Sequence, residues 1–230
     1  MFEKDLDYLK KYHSDVELLS FDALSVCKIP QLWKHILRQP TANQRVAEVL
    51  NMWNGCVAEE LRNTISYLRE NLADVALIKH SGNYSLLYGI RASDGQVQYY
   101  EGGNPADLVF PHQLKAEWDK FPASIVNFFN NLHNGFFYYA SGGMGLLSVS
   151  DIVIFDEEDW GILDELSQPL QIQLKTTFGV FASGMGGYVA VDSSNCENCK
   201  STLWFTQKQP KYDINFWDLV DEWIVIGMQG

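Results

Sequence analysis

The chain has 230 residues, 47% of them hydrophobic, 20% charged and 13% aromatic, with a formal net charge of -12. Such a length and apolar content suit one compact domain or two small ones with a sizeable core, and exclude a disordered chain or a coiled coil. Residues 1–100 carry 11 Lys/Arg against 12 Asp/Glu, a balance of -1, while residues 101–230 carry 6 against 17, a balance of -11. An acidic body repels phosphate backbones, which argues against a nucleic-acid partner. The same charge attracts a basic protein, or simply keeps the chain soluble.

No apolar run approaches the roughly 20 residues of a membrane helix, so no membrane partner is expected. The N-terminal MFEKDLDYLKKYH alternates charges and lacks an apolar signal core, which reads as a cytoplasmic protein. Four cysteines, with Cys27 and Cys56 far apart, do not make a disulfide framework in a chain this long.

In chain order, residues 2–13 are predicted helical, with Phe2, Leu6 and Leu9 on one face. Pro30 suits the start of a short helix with Trp33, Ile36 and Leu37 inward, ended by Pro40. Thr41 and Gln44 read as a capping box. The apolar residues Val46, Val49, Leu50, Trp53, Val57, Leu61, Ile65, Leu68 and Leu72 then recur at helical steps as one long helix, in which Gly55 marks a bend or a close contact. After Asp74 the pattern changes. VALIKH is a short strand, and YSLLYGIRASDGQVQYYEGG a hairpin with Tyr84, Leu86, Tyr88 and Ile90 on one face and Asp94-Gly95 as a two-residue turn.

Pro122 opens a helix over Ala123–His133 that stops at Asn134-Gly135, with His133 placed to meet the free carbonyls of its last turn. GFFYYAS is a strand on which Tyr138 and Tyr139 alternate, so one of them faces out. DEEDWGILDELSQP reads as one short acidic helix. Strands at QIQLKTTFGVFA, GYVAVD and STLWFTQ follow, and Phe216, Leu219, Val220, Trp223 and Ile224 form the inner stripe of a terminal helix. Helices first and strands later, without regular alternation, predict an α+β fold with a largely antiparallel sheet flanked by helices. The organisation expected is an N-terminal helical region at 1–74 and an α+β domain at 75–230.

Few motifs point to chemistry. The glycine turns ASGGMG (140–145) and ASGMGG (182–187) lack a P-loop ending and read as strand-linking turns that need positive φ. CENC at 196–199 has zinc-knuckle spacing, but a structural zinc site needs four ligands and no second CxxC or HxxxH exists. His13, His35, His80, His112 and His133 are scattered, with no HExxH and no GxSxG. No catalytic residue, metal or cofactor is therefore expected. Asp156, Glu157, Glu158 and Asp159, with Asp164 and Glu165, form a dense carboxylate run. Consecutive acids point in different directions, so the run reads first as a solvated face, then as a contact surface for a basic partner, and last as a metal or acid/base site. Trp160 and Tyr138 are the aromatic anchors of that candidate partner-binding surface.

One resemblance ties the second half together. The Pro122-led helix ending HNG, the GGYVAVD strand, the LWFTQ strand and the FWDLVDEW helix, in that order, resemble the SUKH superfamily over roughly residues 110–228. That group includes the fungal cell-wall assembly regulator and many bacterial immunity proteins. The chain departs from it in having Phe121-Pro122 where Leu-Pro is usual, and TQKQPKYD where an acidic or histidine-bearing turn is common. The resemblance implies an α+β scaffold that binds rather than catalyses. Its expected partner is a cognate protein toxin whose active site is blocked, or, alternatively, the several partners of a regulatory scaffold. An enzyme using the carboxylate run is the remaining alternative, and the oligomeric state is left open.

Overall fold

The N-terminal third of the computed structural model, which describes residues 2–230, is mostly helical. A 3-10 turn at Phe2–Asp5 leads into α1 (Leu6–Leu9), followed by a two-residue strand β1 (Glu17–Leu18) that the sequence pattern does not predict. Helices α2 (Gln31–Leu37), α3 (Ala42–Val57) and α4 (Arg62–Asn71) come next. At Thr41 the hydroxyl accepts the Gln44 backbone N–H at 3.3 Å and donates to Gln44 Oε1 at 2.7 Å, so the cap forms, although Gln44 bonds the hydroxyl rather than the Thr41 backbone. The long helix predicted to reach Leu72 is broken between Val57 and Arg62, and Leu72 opens a strand. Gly55 makes no close contact, since a Cβ there would meet nothing within 4 Å.

Among the described residues, eleven strands form one sheet in which every pairing is antiparallel. The strands are β1, β2 (Leu72–His80), β3 (Asn83–Arg91), β4 (Val97–Gly103), β5 (Phe136–Tyr138), β6 (Gly145–Leu146), β7 (Val153–Ile154), β8 (Thr177–Ala182), β9 (Gly187–Asp192), β10 (Lys200–Phe205) and β11 (Lys208–Asn215). They lie side by side in chain order, except that β7 pairs β8 off the main path. Strand β11 takes the place of the polar turn expected between LWFTQ and the terminal helix. It is an edge strand, and Lys208 and Lys211 on it discourage pairing with another chain. The two glycine turns join β5 to β6 and β8 to β9, with Gly142, Gly184 and Gly186 at φ of 64°, 73° and 73°.

The protein is therefore α+β, with a largely antiparallel sheet flanked by helices and preceded by a helical region. Helices α3, α4, α6 (Ala123–Asn127) and α7 (Phe216–Gln229), with α5 (His112–Glu117), cover one face of the sheet. One apolar core on that face runs from Leu24 to Met228, so residues 1–74 and 75–230 share it. The opposite face carries two smaller cores. Phe2, Leu9, Ile78, Leu87, Tyr99 and Tyr139 form one under the N-terminal segment, and Phe155, Trp160, Ile162, Ala190 and Trp204 form the other under the acidic segment. Period-two alternation produces this directly: Val189 and Val191 enter the main core while Ala190 between them faces away.

Two local expectations change. Helix α6 widens after Asn127 into a π-helical turn, Phe128–Leu132, closed by the His133 N–H on the Phe128 carbonyl at 3.1 Å. The β3–β4 loop has three residues rather than two. Ala92 N–H donates to the Gln96 carbonyl and Gly95, at φ 83°, closes the turn on Ala92.

Candidate functional site

The carboxylate run does not form one helix. Two 3-10 turns, Phe155–Glu157 and Gly161–Glu165, flank Trp160. Five residues apart on an α-helix, Phe155 and Trp160 would point about 140° from each other. Breaking the helix lets both rings enter the same small core, 4.7 Å apart, where Trp160 stacks edge-on to Trp204 and its indole N–H donates to the Phe155 carbonyl at 2.8 Å. The four acids between the rings, Asp156, Glu157, Glu158 and Asp159, are left facing water, as are Asp164 and Glu165. Among the described residues none of the six makes an ion pair.

The aromatic anchors expected there are not surface groups. Trp160 is 5% exposed and holds the segment down from beneath. Tyr138 is half-buried on the main-core side of the sheet, its ring 5.7 Å from Tyr100, which separates it from the acids. Tyr139 is buried on the other face, so neither tyrosine of the pair stands free. The structure thus leaves all six acids exposed and removes both aromatics from among them.

A second constellation lies at the other half of the sheet. His80 at the end of β2, Ser85 on β3 and Glu101 on β4 run diagonally across three paired strands, within the diagonal reach of long side chains. They continue the face that carries Ile78, Leu87 and Tyr99. His13, from the loop after α1, lays its ring on His80 with centroids 4.2 Å apart and planes 27° from parallel. Donor atoms of His13, His80 and Glu101 all lie within 4.8 Å of one another. They line a cleft of about 450 Å³ whose walls include Tyr12, Tyr139 and Ser141.

The side chain of Glu101 is 5% exposed. Its Oε1 accepts the Ser85 hydroxyl at 2.6 Å and His80 Nε2 at 2.8 Å. Its Oε2 is buried without a partner among the described residues, and so is His80 Nδ1. A buried polar atom left unsatisfied costs about 1–3 kcal/mol, so these two atoms need an account. Burial opposes charge on His80, but the hydrogen bond and charge of Glu101 outweigh it and hold the imidazole pKa above its ordinary value. Burial, with the neighbouring His80 charge, pushes the His13 pKa down.

No family model, no curated protein and no solved structure matches this chain. No helix among the described residues is long and apolar enough to cross a membrane.

By spacing alone His13 and His80 are scattered histidines, and nothing local in the sequence singles out Glu101. The hairpin turn explains why. A two-residue Asp94-Gly95 turn pairs Leu87 with Gly102 and directs Glu101 toward the main core. The observed three-residue loop pairs Leu87 with Glu101 and puts the carboxylate on the opposite face, beside His80. The usable signal was the same-face spacing of Tyr99 and Glu101, of Ser85 and Leu87, and of Ile78 and His80, once the register was right.

Proposed function

We propose that this protein is a cytoplasmic immunity protein that binds a basic protein toxin and blocks its active site without turnover. The observation that carries this reading is the acidic surface of residues 156–165. Six exposed carboxylates that make no ion pair among the described residues lie on a segment held down by buried Phe155, Trp160 and Trp204. Such a surface has unspent electrostatic attraction for a basic cleft and speeds encounter with it. Many toxins that cleave nucleic acids need a cationic cleft for phosphate, and exposed carboxylates can fill that cleft in place of the substrate. The SUKH resemblance of residues 110–228 supports the same class of function.

Co-expression with the product of an adjacent toxin gene tests the proposal. Wild-type protein is expected to restore growth. Replacing Glu157, Glu158 and Asp159 together with Lys should abolish the rescue and weaken binding in vitro, with unchanged thermal stability. Wild-type affinity should fall as salt rises. Full rescue by the triple variant, or affinity indifferent to salt, would overturn the assignment of this surface.

A further inference from the structure

We propose that His13, His80 and Glu101 form a binding site for one transition-metal dication of the zinc class, with three protein ligands and a fourth position open to the cleft. The donor set argues for that class. Two imidazoles and one carboxylate match the borderline character of zinc, whereas calcium and magnesium sites are built from oxygen ligands. The spacing suits it as well. Ligand atoms on a tetrahedral zinc stand roughly 3.3 Å apart, given metal–ligand distances of about 2.0–2.2 Å. The three donors already converge within 4.8 Å, and small side-chain rotations close the rest.

The independent observation is the pair of unpartnered buried atoms. Glu101 Oε2 and His80 Nδ1 both lie at this cluster with nothing among the described residues to satisfy them. A bound dication takes over the role of counter-charge to the buried carboxylate from His80, the ion-pair partner of Glu101 among the described residues, where no Lys or Arg among them pairs with it. The Ser85 hydroxyl on Oε1 is the kind of outer hydrogen bond that orients a metal-binding carboxylate. The ligands come from three places in the chain: the loop after α1, the end of β2, and β4. A bound metal therefore clasps the N-terminal segment onto the sheet, at the wall of a cleft that Tyr12 and Ser141 also line. This site is independent of the acidic surface and stands or falls without the toxin reading.

The test uses the full chain after chelator treatment, in a Cys196→Ser/Cys199→Ser background that removes the CENC thiols. Zinc titration by calorimetry should give one equivalent per chain. Zinc at a hundredfold excess over Kd should raise Tm by roughly 5 °C or more. Cobalt in place of zinc should give visible d–d absorption with no thiolate charge-transfer band. His13→Ala, at a half-buried ring, and Glu101→Gln, which keeps the carboxylate's shape, should each weaken zinc by at least about tenfold while circular dichroism is unchanged. Absence of zinc binding in the Cys196→Ser/Cys199→Ser background, or affinity within twofold of the parent in both ligand variants, would overturn the proposal.

Discussion

His133 shows how one side chain can contradict its local context. Its position at a helix end suggests interaction with free carbonyls, yet the ring is fully buried, packed against Trp33, Trp53 and Phe136. Trp53 donates its indole N–H to the Tyr88 hydroxyl at 3.1 Å, and Tyr88 donates onward to His133 Nε2 at 2.6 Å. The backbone of β4 approaches so closely that an added Cβ on Gly102 would stand 2.5 Å from the ring. Burial pushes the His133 pKa down to about 3. The unfolded chain, with an ordinary imidazole near 6.5, binds the proton first. Stability from this group is therefore complete above about pH 6.5 and is lost as pH falls toward 3, by at most about 1.4 kcal/mol per pH unit. Urea midpoints measured from pH 7 to pH 4 should fall more steeply for the wild type than for His133→Gln. Parallel curves would show that the acid sensitivity comes from elsewhere.

At the scale of elements, the caps decide where helices begin. Asn215 caps α7 by accepting the Trp217 and Asp218 N–H groups, a local arrangement of the kind a sequence can announce. Helix α4 is capped from a distance. Leu61 occupies its N-cap and has no acceptor, and the first-turn N–H groups of Asn63 and Thr64 donate instead to the buried carboxylate of Asp221 on α7, at 2.9 and 2.7 Å. Apolar spacing from Val46 to Leu72 is continuous, so periodicity alone cannot reveal the break before α4. Asp221→Ala should lower stability by about 1–3 kcal/mol, because two buried donors lose their acceptor. A chemical denaturation curve within about 0.5 kcal/mol of wild type would show that the cap is dispensable. Register has the same long-range character. A single extra loop residue at Ser93–Gly95 decides which face of β4 carries Glu101, and hence whether the histidine–carboxylate cluster exists.

Across the whole molecule, the helices of the first 74 residues and the sheet that follows bury their apolar faces in each other. Arg45 on α3 reinforces the joint with a two-pronged contact to Asp74 on β2, at 2.8 and 2.7 Å. Trp53 contributes its ring to the core and its indole N–H to Tyr88 on β3. Thermal unfolding should therefore follow one cooperative transition by both fluorescence and circular dichroism. Residues 75–230 expressed alone should lack that transition and expose the apolar face that α3 and α4 cover. A cooperative melt of that fragment would show that the two regions are separate folding units.

The pattern of residues along this chain carried the fold class, the capping of α3, the glycine turns and the acidic run, because each depends on neighbours a few positions away. Period-two and period-3.6 burial, positive φ at glycine, and charge density are local properties. Tertiary structure alone decided the break before α4, the burial of Trp160 and His133, the position of Tyr138 away from the acids, and the meeting of His13, His80 and Glu101. Each of these turns on a partner tens of residues distant, or on a register in which one residue reverses a strand's two faces. Local spacing does not encode either.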